Sequence, residues 1–282
     1  MNDTYLELSI AYNKQNRNII YNRLYRENTG SIIEEHSHIK IYLPIVQKKH
    51  LKDITDKLLH LDGIPEKQLT VSEFSKYNWS DVWKKSIQPV NIKNKIIVYP
   101  SWKKNELKNT RHKILIEIDP KMSFGTGHNE TTQLILEMMC KHITNKDKTM
   151  LDYGCGTSIL AIAGIKLGLK SAVAIDTDND AIINSRENIR INKVQKQVKL
   201  HSGKINSLKI SDFDILAANL TSGIIVNNLK NISKKLKPAG KLFASGILKE
   251  EKYRITKALR EYFIIKNSYK KSEWLGFYCI KK

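Results

Sequence analysis

Apolar positions alternate with polar ones at Tyr5, Leu6, Leu8 and Ile10, the period of a half-buried strand. The spacing turns helical from residue 13 to 26 and is broken by Asn28-Thr29-Gly30. Short strands are predicted at 31–35 and 39–43, then a helix over 47–61 that Asp62-Gly63 closes, with Pro65 just beyond. The order is βαββα, and a strand near 68–73 would complete a small split βαβ sandwich ending at about residue 73. Residues 74–104 read as a linker with one short helix around Trp79-Ser80-Asp81-Val82-Trp83, punctuated by Pro89 and Pro100. Its aromatic residues, Tyr77, Trp79, Trp83 and Trp102, are read as packing anchors. From residue 105 strands alternate with helices, the pattern of a parallel sheet with helices on its faces. Strands are predicted at 148–153, 171–176, 198–201, 214–219 and 241–245, helices at 157–168, 178–192, 221–236 and 249–262. Segments 263–269 and 273–280 form a closing hairpin in this reading.

Composition changes this picture little. The 282 residues are 41% hydrophobic and 27% charged, which excludes wholesale disorder and suits one large or two smaller domains. No apolar run approaches the ~18 residues of a membrane span, and the opening MNDTYLELSIAY lacks a signal-peptide pattern, so a cytoplasmic protein without a membrane partner is expected. Cys140, Cys155 and Cys279 are odd in number and make no C-x-x-C pair, consistent with a reducing compartment. The net charge of +20 divides into +6 for residues 1–104 and +14 for 105–282, with no block marking a nucleic-acid-binding arm. Joint over-use of Lys, Ile and Asn explains it without a polyanionic partner, although ribosomal or RNA proximity stays open.

The chemistry concentrates at predicted strand ends. Leu151-Asp152-Tyr153-Gly154-Cys155-Gly156 lies where a strand meets a helix, and glycine there permits a tight turn and close approach to a ligand. Asp176 closes the next strand, where a carboxylate accepts hydrogen bonds from ribose hydroxyls. Ile159 stands where the dinucleotide fingerprint needs its third glycine, and no phosphate-binding G-x-x-x-x-G-K-[ST] loop occurs. A strand-terminal D-x-G-C-G followed by a ribose-binding acid resembles the pattern of S-adenosylmethionine-dependent methyltransferases, whose ligand has no phosphates to cradle; the alternative is a turn serving only helix–strand packing. Upstream, residues 119–132 (DPKMSFGTGHNETT) form a loop opening a helix that runs to about residue 143, with hydroxyls and N-terminal amides suited to a carboxylate. Downstream, Asn219 ends the fourth strand, where its amide can orient a nitrogen nucleophile or simply start the next helix.

DPKMSFGTGHNETT, LDYGCGTSILAIAGIKLG, AIDTDNDAI, AANL and SGILKEE with Glu273-Trp274 resemble, in order and spacing, the bacterial ribosomal protein L11 methyltransferases. The resemblance runs from about Trp79 to the C-terminus; the long FGTG loop with AANL is specific, whereas LDxGCG alone marks only the methyltransferase superfamily. It implies a Rossmann-like class I methyltransferase domain over 105–282, with a seven-stranded, mostly parallel sheet, preceded by an α+β ferredoxin-like substrate-recognition domain over 1–73. It implies S-adenosyl-L-methionine as cofactor, held by Thr132 at its amino-acid end, Gly154 at the turn, Asp176 on the ribose and Asn219 between cofactor and amine. Implied too are a monomer and trimethylation of lysine side chains and the N-terminal α-amine of protein L11. One departure stands out: the family continues its turn as G-C-G-S-G, while this chain places Ser158 at the third glycine. A positive φ there would cost serine ~1 kcal/mol; a helical φ would cost nothing.

No general base stands out: His128 lies in the FGTG loop, where packing is its commoner role, and His36, His38, His50 and His60 lack metal-ligand spacing, so no metal is expected. Cys155 has no activating histidine, and Asp152 either fixes the turn or reaches the cofactor's ammonium. Two other classes remain: a nucleic-acid methyltransferase, against which Leu220-Thr221-Ser222 replaces a proline-aromatic continuation, and a non-catalytic RNA-binding protein with a decayed site.

Overall fold

A computed structural model of the chain describes residues 4–13, 15–27, 29, 32–35, 37–75, 87–119 and 129–282. The chain divides into two compact units, Met1–Ile87 and Gln88–Lys282.

The first unit runs β1 (Thr4–Ala11), α1 (Arg17–Arg26), β2 (Ile32–Glu35), β3 (His38–Pro44), α2 (Lys48–His60), β4 (Leu69–Ser75). All its pairings are antiparallel, in the order β2-β3-β1-β4, and Leu8 sits opposite both Ile41 and Val71. Period-two alternation puts Leu6, Leu8 and Ile10 on one face, and helical spacing gives Ile20 and Leu24 on α1 and Leu51, Ile54 and Leu58 on α2. These side chains form a single buried core, so both helices cover the same face of the sheet. The strand predicted near 68–73 forms and completes the sheet.

The linker expected over 74–104 does not extend that far. Residues 88–104 belong to the second unit, where β5 (Val90–Ile92), β6 (Ile96–Tyr99) and β7 (Ile114–Glu117) build a three-stranded sheet. Ile92, Ile96, Val98 and Ile116 share a core with the large sheet. All four residues of β6 are buried, so the strand carries no polar alternation, and so short an apolar run does not declare itself. The predicted helix at 79–83, with Tyr77, Trp79 and Trp83, lies outside the described residues, as do His36, His128 and the loop 120–128.

The remainder is α3 (Glu130–His142), β8 (Thr149–Tyr153), α4 (Ile159–Lys166), β9 (Ser171–Asp176), α5 (Asn179–Ile191), β10 (Val198–Ser202), β11 (Phe213–Asn219), α6 (Ser222–Lys235), β12 (Leu236–Leu248), α7 (Lys252–Tyr262), β13 (Phe263–Lys271) and β14 (Trp274–Lys281). Seven strands lie in the order β10-β9-β8-β11-β12-β14-β13. β8 to β12 are parallel, and β14 runs antiparallel to β12 and β13, so this is the Rossmann-like, mostly parallel sheet that the alternating pattern and the resemblance predict. The central strands β8, β9 and β11 bury both faces. Met150, Ala174 and Ala217 join α3, α4 and α5 in one core, while Leu151, Ile175 and Ala218 join α6 and α7 in the other. From β8 the chain winds outward through β9 to β10, and from β11 in the opposite sense to β12. The adjacent pair β8 and β11 is therefore the topological switch point, and a crevice opens beyond their carboxyl ends.

No helix among the described residues is long and apolar enough to cross a membrane.

Candidate functional site

Every residue singled out at a strand end lies at this switch. β8 runs into Gly154, whose φ of +72° lies in the left-handed region that favours glycine. A Cβ there would lie 2.5 Å from Leu220 Cδ2, so the turn packs closely on the residue after Asn219. The amides of Gly154 and Cys155 donate to the Ile175 carbonyl at 2.9 and 3.0 Å, anchoring the turn to β9. Asp176, which ends β9, accepts from the Gly156 amide through Oδ2 (2.9 Å) and from the Asp178 amide through Oδ1 (3.1 Å). Each oxygen keeps lone-pair capacity, and the carboxylate is oriented before any hydroxyl arrives.

Asn219 ends β11, and its Nδ2 donates to Thr132 Oγ1 at 3.0 Å. Thr132 lies in the first turn of α3, buried, 87 residues away in sequence. With the nitrogen committed to Thr132, Asn219 Oδ1 is buried without a partner among the described residues, as are Thr131 Oγ1 and Asp152 Oδ1. Buried polar atoms are rarely left unpaired, because each costs about 1–3 kcal/mol, and unpaired ones call for a ligand, an ion or water. Asn219 Oδ1 can only accept, the Thr131 hydroxyl can accept, and the Asp152 carboxyl accepts there once ionised, so the three fit a ligand that carries N–H donors. The backbone following Asn219 is held by Leu220 N–H donating to the Ser245 carbonyl (3.0 Å) and by Gly246, φ +85°, where a Cβ would approach the Leu220 carbonyl oxygen to 2.5 Å.

Asp152 is wholly buried in β8 and accepts from the Ala161 amide at 3.0 Å. Burial pushes its carboxyl up to about 8, with the Asp176 charge adding in the same direction. Burial likewise pushes the Cys155 thiol up to about 12, so it is no nucleophile at neutral pH. Ser158 takes the left-handed conformation, φ 60° and ψ 23°, so the position does require a positive φ. Its hydroxyl donates to Ser185 Oγ (2.7 Å), which in turn donates to the Gly156 carbonyl (2.7 Å).

Sequence reasoning passed over Ser185, Asn188 and Asn192, and Gly246 within SGILKEE. The signal in the first three was three polar residues spaced three and four apart among the apolar positions Ala181, Ile182 and Ile189. Among the described residues no group of three His, Cys, Asp or Glu side chains is placed to hold a metal ion.

Residues 4–282 match the family model described as ribosomal protein L11 methyltransferase (PrmA). A ribosomal protein L11 methyltransferase from Thermoanaerobacter pseudethanolicus is 33% identical over 266 residues, 90% of this chain and 83% of the relative. Another, from Alkaliphilus oremlandii, is 34% identical over 226 residues, 76% of this chain and 70% of the relative. Among solved structures, the ribosomal protein L11 methylase of Lactobacillus delbrueckii subsp. bulgaricus aligns with a TM-score of 0.65 at 26% identity, covering 70% of this chain and all of that one.

Proposed function

Because the chain belongs to the ribosomal protein L11 methyltransferase family, we propose that it transfers methyl groups from S-adenosyl-L-methionine to lysine side chains and the N-terminal α-amine of ribosomal protein L11, up to the trimethyl state. The observation that carries this reading is Asn219 at the switch point, its nitrogen held by Thr132 and its buried oxygen open to a donor. An amide oxygen so fixed accepts from an incoming amine without binding it as tightly as a carboxylate would. That suits an amine which must turn and lose a proton before each further methyl.

Thr131 and Thr132, Gly154, Asp152, Asp176 and Asn219 are the residues that would hold the cofactor. Asp176 takes the ribose hydroxyls, Gly154 lets the backbone approach the nucleoside, and Thr132 borders the methionyl end. Thr131 Oγ1 suits an ammonium group, and so would Asp152 Oδ1 once the ammonium's charge favours its ionisation. When bound, S-adenosylmethionine supplies an electrophilic methyl on a sulfonium. The protein's own contribution is alignment of the amine with that methyl and exclusion of water, together worth several powers of ten. The amine must arrive uncharged, so the α-amine (pKa ~7.7–8) is the easier acceptor, and a lysine (~10.4) needs desolvation.

The first unit, with its own core, is the candidate for substrate recognition. A cytoplasmic monomer that meets its substrate near the ribosome agrees with the thiol content and the basic charge.

The test is transfer of labelled methyl from S-adenosylmethionine to purified, unmethylated protein L11, with naked ribosomal RNA as the parallel acceptor. Label on the protein's amines is expected. Label on RNA alone would move the assignment to a nucleic-acid methyltransferase, and label on neither, without cofactor binding, would leave a decayed enzyme. Asn219→Ala should lower turnover about 100-fold while weakening cofactor binding far less, and an unchanged rate would remove its role.

A further inference from the structure

Ser185, Asn188 and Asn192 are buried polar residues along one stripe of α5 and its C-terminal cap, on the face that a helix of this kind normally fills with apolar side chains. None of them borders the crevice through its own side chain in the assignment above. Each instead grips backbone elsewhere in the unit. Ser185 Oγ donates to the Gly156 carbonyl (2.7 Å), and Asn188 Nδ2 donates to the Thr157 carbonyl (3.3 Å). Asn192 binds both backbone groups of one residue: its Oδ1 accepts from the Glu117 amide (3.0 Å) and its Nδ2 donates to the Glu117 carbonyl (2.7 Å). The same Nδ2 reaches the Asn188 carbonyl at 2.9 Å, tying the stripe together.

Gly156 and Glu117 lie in different parts of the unit. Gly156 belongs to the turn, and its amide is the group that orients Asp176. Glu117 ends β7, two residues before Asp119, whose Oδ1 accepts from the Ser101 amide at 2.6 Å. From Asp119 the chain leads to α3 and Thr132. Ser158, the departure from the family's glycine, also finds its partner in this stripe, because its hydroxyl donates to Ser185.

We propose that Ser185, Asn188 and Asn192 are positioning residues for S-adenosylmethionine, through which α5 holds the glycine turn in fixed relation to β7. The inference rests on the crevice being the cofactor site. Buried hydrogen bonds that only stabilised the fold could be lost with a fall in melting temperature and no change in how the folded protein binds its ligand. Positioning bonds act on the binding constant itself.

The experiment compares the full chain with Ser185→Ala, Ser185→Thr, Asn192→Ala and Ile232→Val, the last a core substitution on the opposite face of the sheet. Calorimetry gives the dissociation constant for S-adenosylmethionine, kinetics on protein L11 give kcat and KM, and melting temperature reports the fold. The native chain is measured first, and failure to bind would overturn the crevice assignment and this inference with it. If it binds, Ser185→Ala and Asn192→Ala are expected to raise the dissociation constant and the cofactor KM about 10-fold, with kcat at saturation within about 2-fold. Ser185→Thr, which keeps the hydroxyl, should recover most of the affinity, and Ile232→Val should leave it unchanged. A final pair separates two roles for Ser185. If it acts through the Gly156 carbonyl, Ser185→Ala weakens binding equally in a Ser158→Gly background; a role confined to satisfying Ser158 would vanish there and overturn the proposal. So would alanine variants whose affinity moves no more than that of Ile232→Val.

Discussion

A single hydrogen atom in place of a methyl group decides the turn at Gly154. Replacing it by alanine forces a left-handed conformation on a β-carbon and drives that carbon to 2.5 Å from Leu220 Cδ2. The leucine can move but the dihedral cannot, so Gly154→Ala should lose about 1–2 kcal/mol of stability in denaturant unfolding and weaken cofactor binding. An unchanged midpoint would show that the turn relaxes. Ser158 carries the same dihedral burden with a compensating hydroxyl, and its conformation was the one question about the turn that sequence posed and could not answer. Asp152 gives the site a pH signature. Its carboxyl is raised to about 8 in the folded protein, chiefly by burial, so above pH ~4 the folded state keeps a proton that the unfolded chain has released. Its contribution is therefore fully present below pH ~4 and is lost as pH rises through about 8. Asp152→Asn cannot ionise and should flatten that decline in the cofactor-free protein. Urea midpoints at pH 5, 7 and 9 that fall in parallel for both proteins would exclude this.

Between α1 and β2 the connection is electrostatic. Glu34 on β2 receives Arg17 Nη2 at 2.7 Å and Nε at 3.0 Å, Tyr21 at 2.8 Å, and the hydroxyl of Tyr12. The Arg17 hydrogen bonds are the main reason its carboxyl is held down at about 2, with Tyr12 and Tyr21 assisting against a smaller opposing effect of burial. A depressed pKa means the stabilisation is present above pH ~4.3 and is lost as pH falls through about 2. Glu34→Gln should cost stability at neutral pH and remove that part of the acid unfolding limb, read by circular dichroism from pH 5 to 2; an unaltered limb would show the cluster to be energetically silent. Among elements, those with a clear period were legible in the sequence, including α2 and the five parallel strands. The strand β6 was not, because Ile96 to Tyr99 is buried on both faces and shows no alternation. α5 was legible as a helix, but the purpose of its polar stripe was not, since its partners Gly156, Thr157 and Glu117 are distant in sequence.

At the scale of the whole molecule, the chain holds two units with separate cores, and the assigned site lies wholly within Gln88–Lys282. Cofactor at 100 times its dissociation constant adds about 2.7 kcal/mol to the unit that binds it. For a unit of this size the melting temperature should rise by about 5–11 °C, and scanning calorimetry should show the rise in one transition only. Equal displacement of every transition would mean that the units unfold together. The sequence alone determined the order of the elements with a clear period, the split between an α+β opening and an alternating α/β remainder, and the candidates Thr132, Gly154, Asp176 and Asn219. It could do so because periodicity, turn chemistry and strand-end residues are local properties of the chain. Only the tertiary structure decided the order of strands around the β8–β11 switch, the small sheet that takes up part of residues 88–104, and the positive φ of Ser158. The contact of Thr132 with Asn219 across 87 residues belongs with these, because it depends on which distant surfaces the buried faces of the strands and helices select as partners.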